Sequence, residues 1–487
     1  MKNMMNNLFS EIDVMDNDSS QSVTINDCVH GHIQLSRDLI KIVDTPQIQR
    51  LRDLKQLGLA SYVYPGATHT RFAHCIGVCH LAGTFMRQLY NCQPELGITE
   101  RDIFCVQVAG LCHDLGHGPF SHMFEEAVKE GCKKDWRHEQ ASLKLFAKMV
   151  EDSKLGDLFQ DGEINFIKEL IHSKEGQRTG RNGGEENKEF LYEIISNERT
   201  GIDVDKFDYF ARDCHALGFS NMFDHKRFML MARVLRCEDN KLHICYKDKE
   251  LENLIVMFQT RFTLHLFAYK HSVVSAVDKM VCDAFLHADE YILTQGDDNE
   301  FYSLTKSIEN MGAFGRLSDS VLHRIRDYQL NEEDDDQKKK IKAAQLLVER
   351  IAERRLYTLV HSVKNYKQED MTGERIEEAI VDLGEKELGK EKFEGKDIYV
   401  QIAQFDFGMK SENPLKELYV YTKQEPNKAV RFNRDMVSQL LLPKIFCERI
   451  VRVYCKAEDK DKKKDMKKAA EKWEEQLPKA TDAEQSK

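Results

Sequence analysis

The chain has 487 residues, 41% hydrophobic and 31% charged, enough to bury a sizeable core in one large domain with a smaller appendage. A net charge of −11 and an isoelectric point near 6.0 argue against a constitutive nucleic-acid coat protein. No apolar run reaches the roughly 20 residues that cross a bilayer, and 13 cysteines without a CxxC pair read as reduced thiols of a nuclear or cytoplasmic protein.

Residues 1–22 are polar and acidic and read as a flexible lead-in without a signal-peptide pattern. Val23 to Leu35 suit a short hairpin about Gly31. Asp44-Thr45-Pro46 starts a helix, with Asp44 or Thr45 as cap and Pro46 in the first turn, and Ile48, Leu51, Leu54 and Leu57 carry it onward. Tyr62 to Gly66 ends in a turn. Thr70 to Gln88 reads as a helix bearing Arg71, His74 and His80, with Cys75 and Cys79 as a small buried pair. From Arg101 to Cys112 the apolar residues Ile103, Phe104, Val106, Val108 and Leu111 recur at helical spacing. Gly116, Gly118 and Pro119 break that helix just past His113 and Asp114.

The prolines are at 46, 65, 94, 119, 414, 426, 443 and 478, so the proline-free stretch from Phe120 to Asn413 favours helix. Within it, Glu175 to Lys188 reads as a loop, Leu242 to Tyr246 as a strand, and the acid-then-lysine run Asn331 to Lys340 as a solvated loop or helix flank. Ile398–Ile402, Leu418–Tyr421 and Ile450–Tyr454 are short β-rich runs. The expected architecture is mainly α, a helical core over 23–395 with a small α+β C-terminal lobe over 396–456. Residues 457–487 read as a charged surface helix or disordered tail.

His113 and Asp114 adjoin at a helix end, with His117 and His122 close behind. Titratable groups this dense lose solvation in a core unless a divalent metal takes them as ligands. His74, His113, Asp114 and Asp205 together offer two imidazoles and two carboxylates, a mixed shell suited to Fe, Mn, Mg, Ni or Zn. A lone His-Asp pair is as often a satisfied polar pair.

The order H…HD…D resembles the signature of the HD phosphohydrolases. His30-Gly31-His32, Asp44-Thr45-Pro46-Gln47, Gln49-Arg50-Leu51-Arg52, Pro65-Gly66-Ala67, Arg71-Phe72, Gly110 to Phe124, His138-Glu139-Gln140 and Gly201 to Cys214 narrow this further. They closely resemble the animal deoxynucleoside triphosphate triphosphohydrolases that pair a sterile-alpha-motif domain with an HD domain. The likeness runs from Val23 to Lys456; the sterile-alpha-motif domain and most of the relatives' C-terminal tail have no counterpart. It implies metal-dependent release of inorganic triphosphate from dNTPs, with Fe, Mn, Zn or Mg as the cation, and a role in dNTP-pool control and antiviral defence. The implied metal ligands are His74, His113, Asp114 and Asp205. His138 is the implied general acid, supported by His117 and by Glu125, where the family usually has Asp. By the same resemblance Arg71, Lys206 and Arg261 contact the triphosphate and His122 faces the α-phosphate. Gln56, Leu57 and Asp213 belong to the substrate pocket, Gln56 and Asp213 bonding the 3′-OH. Tyr209 and Tyr269 pack on the sugar and leave no room for a 2′-OH. Lys270 stands where the relatives carry Gln.

The resemblance also implies a homotetramer assembled by nucleotides. A GTP or dGTP effector falls to Asp44, Gln49, Arg52 and Arg354, and a neighbouring dNTP to Thr24, Asn26, Arg227, Lys247, Lys249, Asn253, His271 and Lys423. Val23 and Thr358 stand where the relatives point lysines at the guanine nucleotide. Without the resemblance, Arg261 reads as a surface charge and the two tyrosines as core; His80 and His265 read as structural. Two other functions compete. A different HD phosphodiesterase or nucleotidase would leave several of these cations unpaired. A single-stranded nucleic-acid binder is disfavoured by the acidic charge, Lys462 to Lys468 offering a weak patch.

Overall fold

The computed structural model describes residues 22–174, 177–180, 188–331, 334–368, 370–388 and 393–478. The lead-in at 1–22 lies outside them except for Ser22, as does most of the loop at 175–188.

β1 (Ser22–Asp27) and β2 (Gly31–Ser36) form the expected hairpin, Val23 opposite Leu35 and Asp27 opposite Gly31. α1 (Arg37–Val43) follows, capped by Ser36, then α2 (Pro46–Gln49), where the Thr45 hydroxyl accepts from the Ile48 amide. The helix was expected to continue through Leu57. It instead tightens into a 3₁₀ turn at Arg50–Asp53, and Leu54 is extended. The cause is tertiary: the buried Arg50 guanidinium donates to the carbonyls of Leu317, Leu115 and His117 and pins the chain there.

α3 (Arg71–Cys92) and α4 (Glu100–Cys112) pack together, α4 opened by a Thr99–Asp102 capping box. α5 (His122–Cys132), α6 (His138–Asp152), α7 (Glu163–Ile171) and α8 (Val204–Leu217) complete the frame around the HD pair. α9 (His225–Leu230) leads into the antiparallel pair β3 (Ala232–Arg236) and β4 (Leu242–Lys247), the strand expected at 242–246. α10 (Leu251–Leu264) runs into a π turn at His265–Tyr269 and then α11 (Ser272–Ala288). β5 (Thr294–Gln295), β6 (Phe301–Tyr302), α12 (Met311–Phe314), α13 (Val321–Arg326) and α14 (Asp335–Ala352) close the body. The acid-then-lysine run is thus mostly the start of α14, with Asp334 capping through the Gln337 amide.

β7 (Thr358–Val363), α15 (Gly373–Leu388), β8 (Ile398–Asp406), β9 (Tyr419–Tyr421), β10 (Val430–Arg431), β11 (Cys447–Cys455) and α16 (Lys460–Glu475) end the chain. β7-β11-β8 make one antiparallel sheet, and α15 and α16 bury Ile376, Ile380, Met466, Ala470 and Trp473 against it. β9 pairs parallel to β4 and extends a sheet ordered β10-β9-β4-β3. The lobe is therefore wider than 396–456: it takes β7 and α15 from upstream and α16 from the charged tail, while β9 and β10 join the main body. Met466, Ala469, Ala470 and Trp473 recur at helical spacing, an apolar stripe among lysines that docks α16. Among the described residues no helix is long and apolar enough to cross a membrane.

Candidate active site

Three helices deliver the donor set. His74 lies one turn into α3, His113 and Asp114 follow the last turn of α4, and Asp205 sits in the first turn of α8, which Asp203 caps. His74 Nε2 is 3.1 Å and His113 Nε2 3.4 Å from Asp205 Oδ1. Asp114 completes the square, its oxygens 3.5 Å from His113 Nε2 and 3.8 Å from His74 Nε2. Ligands bound to one cation at about 2.0–2.2 Å stand roughly this far apart. The outer nitrogens are fixed: His74 Nδ1 pairs with Asp208 Oδ2 at 2.8 Å, and His113 Nδ1 donates to the Gly110 carbonyl at 2.8 Å. Both Nε2 atoms are thereby directed at the carboxylates and, once a metal displaces any proton there, are placed to ligate it. His113 Nε2 is buried without a hydrogen-bond partner, so the residues present fit a divalent cation.

The charges agree. Burial opposes ionisation of Asp114, but His113, Arg71 and His117 hold it well below the carboxylate range. Burial likewise opposes Asp205, and hydrogen bonds from His113 and His74 hold it down. Burial pulls His74 down, yet Asp205 and Asp208 outweigh it and raise it to about 10. Its two carboxylate neighbours demand a cation, proton or metal.

Past Asp114 the backbone is strained: Phe120 and Ser121 have φ of 57° and 61°. Asp319 holds them there, one oxygen accepting from the Phe120 amide at 2.8 Å and the other from the Lys55 amide at 2.9 Å. Arg71 braces the same loop, donating to Ser121 Oγ at 2.8 Å and to Asp114. This seats His122 and Glu125 at the start of α5, facing α6. His138 Nδ1 is 2.5 Å from Glu125 Oε1, and its ring stacks on His117 at 3.9 Å. His122 Nδ1 lies 3.5 Å from the same Glu125 oxygen. The longer Glu side chain thus reaches the imidazole directly. Burial, Arg71 and His138 keep His117 neutral, while His122 and His138 outweigh burial and hold Glu125 ionised. Gly116 allows the approach of α6, because a Cβ there would lie 2.1 Å from the His138 carbonyl.

The remaining pocket residues lie on neighbouring elements. Tyr209 in α8 packs edge-on to His74, ring centres 6.4 Å apart. Tyr269, in the π turn, donates to Asp213, whose other oxygen is 2.7 Å from His69 Nε2. A π turn of this kind often marks a functional site. Gln56 Oε1 is buried without a partner, and Leu57 packs beside Ala60 and Val274. Lys206 Nζ sits 3.0 Å from Asp203, and Arg261 lies between His265 and Asp406. Lys270 donates to the Gln404 carbonyl on β8, so its ammonium is anchored to the sheet.

Of the residues assigned to effectors, Asp44, Gln49 and Arg52 gather at the α1–α2 corner, Arg52 Nε donating to Gln49 Oε1 at 2.7 Å. Arg354 donates to the Tyr62 carbonyl at 2.5 Å. Thr24 and Asn26 share an exposed side of β1. Arg227 and Lys249 line one cavity of about 680 Å³, with Lys247 at the end of β4 and Asn253 in α10 beside it. Asn253 bonds Asp224 and Glu250, His271 caps α11, and Lys423 follows β9.

Sequence reasoning gave no role to Asp208, Ser121, Arg50 or Asp319. Asp208 had a signal: it stands one turn past Asp205 on the same helix. The others depend on contacts too distant in sequence to read.

The HD domain family model matches residues 71–213. The chain is 43% identical over 455 residues to the human deoxynucleoside triphosphate triphosphohydrolase SAMHD1, covering 90% of this chain and 71% of that one. It is 40% identical to the Xenopus laevis protein of the same name, covering 91% and 72%, and 34% identical to the Dictyostelium discoideum homolog, covering 90% and 78%. With its His and Asp donors brought together by α3, α4 and α8 and this likeness spread over nearly its whole length, the chain belongs to the HD-domain deoxynucleoside triphosphate triphosphohydrolase family.

Proposed function

We propose that the chain hydrolyses dNTPs at the α-phosphorus, releasing a deoxynucleoside and inorganic triphosphate. The observation that carries the reading is the His74–His113–Asp114–Asp205 square beside the Glu125–His138 pair, in a chain of this family. Two imidazoles and two carboxylates suit several divalent metals and do not single one out. The bound cation supplies Lewis-acid charge to a phosphoryl oxygen and lowers the pKa of a water.

The chain's own residues do the rest. Arg71, Lys206 and Arg261 offset the triphosphate charge, which requires Lys206 to release Asp203 and Arg261 to swing from Asp406. His122 faces the α-phosphate. As the bond to the 5′-oxygen breaks, His138 gives that oxygen a proton, and ionised Glu125 steadies the imidazolium beforehand. Gln56 and Asp213 bond the 3′-OH, and Tyr209 and Tyr269 close the 2′ side of the sugar, within a pocket completed by Leu57. The resemblance is what supports a regulatory nucleotide site and a nucleotide-assembled oligomer; Arg227 and Lys249 lining one cavity fits the nucleotide site alone.

Incubating the protein with dGTP and Mn²⁺ in ¹⁸O-water tests the reaction. Deoxyguanosine and triphosphate should appear one to one, with the label in the triphosphate. Release of dGMP and pyrophosphate, or of dGDP, would overturn the reading.

A further inference from the structure

The second anchor of His74 reaches out of the HD frame to the N-terminal hairpin. Asp208 is fully buried and each of its oxygens is doubly engaged. Oδ2 takes His74 Nδ1 at 2.8 Å and Arg212 Nε at 2.9 Å; Oδ1 takes His30 Nε2 at 2.7 Å and Arg212 Nη2 at 2.8 Å. The free arm of Arg212 donates to Asp27 Oδ2 at 2.9 Å. Asp27 also closes the β1–β2 turn, its Oδ1 accepting from the amides of Val29 at 2.9 Å and His30 at 2.8 Å. One turn of backbone therefore presents both an imidazole and a carboxylate to the same buried pair on α8. α3 is cut to fit: a Cβ on Gly77 would lie 1.9 Å from Asp208 Oδ1 and 2.5 Å from Arg212 Nη2. The His80 and His225 rings flank His30 at 5.6 Å and 5.8 Å.

We infer that Asp27 and His30 are positioning residues for the metal site, fixing Asp208 and through it the ring of His74. A buried carboxylate is costly unless its lone pairs are satisfied, and its partners set where it sits. Asp208 has His74 on one side only. Remove His30, and Oδ1 keeps Arg212 alone; remove the charge of Asp27, and Arg212 loses the contact that orients it. In either case the carboxylate that selects the Nε2-accepting tautomer of His74 is free to move. A partner bonded directly to a ligating imidazole, as Asp208 is to His74, is typically worth about 10–100-fold in metal affinity, and Asp27 and His30 act one step further out. The hairpin is thus part of the metal site's frame, although none of its residues touches the cation. This rests on the proposed metal site at His74.

Titrating the metal-free full chain with Mn²⁺, followed by its electron paramagnetic resonance, tests it. His30→Ala is expected to weaken Mn²⁺ binding several-fold, less than the roughly 10–100-fold expected for loss of a direct partner of His74 such as Asp208. His30→Gln, whose amide still donates to Asp208, should recover most of the loss. In an Asp208→Asn background the effect of His30→Ala should vanish, because the two act in series. Should His30→Ala fail to fold, the isosteric Asp27→Asn replaces it with the same expected direction. Wild-type affinity in the folded variants, or losses that add in the double variant, would overturn the inference. The outcomes separate from those of the reaction itself. A wild-type chain that binds Mn²⁺ but makes no triphosphate removes the proposed function and leaves this frame intact. Unchanged Mn²⁺ affinity removes the frame and leaves the reaction.

Discussion

Asp205 and His138 divide the proposed chemistry between them. Asp205 lies against both imidazoles, so Asp205→Asn takes a charge from the metal shell without changing its shape. Turnover and Mn²⁺ retention should fall together while the fold persists; a folded variant cleaving dGTP at the wild-type rate would show the site is misplaced. His138 touches no proposed ligand of that square and bonds Glu125 instead. His138→Ala should keep dGTP and metal binding but lose about 10²–10⁴-fold in rate. The same rate with the alanine would move the proton donor elsewhere. The proposed donors could be picked out in the sequence because an adjacent His-Asp pair at a helix end is a local pattern. Asp319 was not legible: it supports the Phe120–Ser121 strain from 199 residues away, and no local spacing reports such a contact.

At the scale of elements, helices read well where their signals were local. The apolar stripe from Ile103 to Leu111 announces α4; its Thr99–Asp102 cap was not read from the sequence, and Thr99→Ala should cost about 1 kcal/mol of stability, read by denaturant titration. Strand partners did not read, because β9 and β11 look alike in sequence and only the fold sends one to β4 and the other between β7 and β8. The Lys-rich α16 matches the surface-helix alternative read for the tail, but its docking was masked by composition, the stripe being four residues among many charges. The contact between α5 and α11 carries a titration of its own. Asp278 on α11 is raised to about 8, first by burial and then by Glu126 on α5, itself raised by burial. Lys279, Glu130, Asp283 and Tyr399 also face this contact. A carboxyl raised on folding binds its proton more tightly in the native state. Its contribution is therefore complete below the unfolded value near 4 and is lost as pH rises to about 8. Asp278→Asn cannot ionise, so its melting temperature relative to wild type should climb from pH 5 to pH 8 and then level off. A constant difference across that range would contradict the assignment.

Among the described residues the buried apolar side chains form two large clusters and two small ones, and the positions that the resemblance ties to the guanine nucleotide fall on elements of both large clusters. Asp44, Gln49 and Arg52 belong to the α1–α2 corner of the helical body, whereas Thr358 opens β7 in the C-terminal sheet, opposite Cys455. A nucleotide contacting such distant elements fixes how they meet, which is how a small ligand can govern assembly. On the proposed reading, that grip is weaker in this chain at two places. Val23 is exposed on β1 and Thr358 is half-buried on β7, and neither offers the cation found in the relatives by the resemblance. Charge-assisted hydrogen bonds are each worth about 1.5–3 kcal/mol, so losing two should raise the GTP requirement at least tenfold. Arg354 adds a further cost, since its guanidinium is bonded to the Tyr62 carbonyl and must leave it to meet a phosphate or base. The weaker site need not lower the maximal rate, because linkage ties effector affinity to the assembly equilibrium and not to turnover once assembled. Sedimentation and dGTP hydrolysis measured across a GTP titration should therefore move together. Val23→Lys with Thr358→Lys should shift both curves to at least roughly tenfold lower GTP and leave their plateaus unchanged. A wild-type chain already assembled at micromolar GTP, with no shift in the double variant, would show that these two positions do not set the effector requirement.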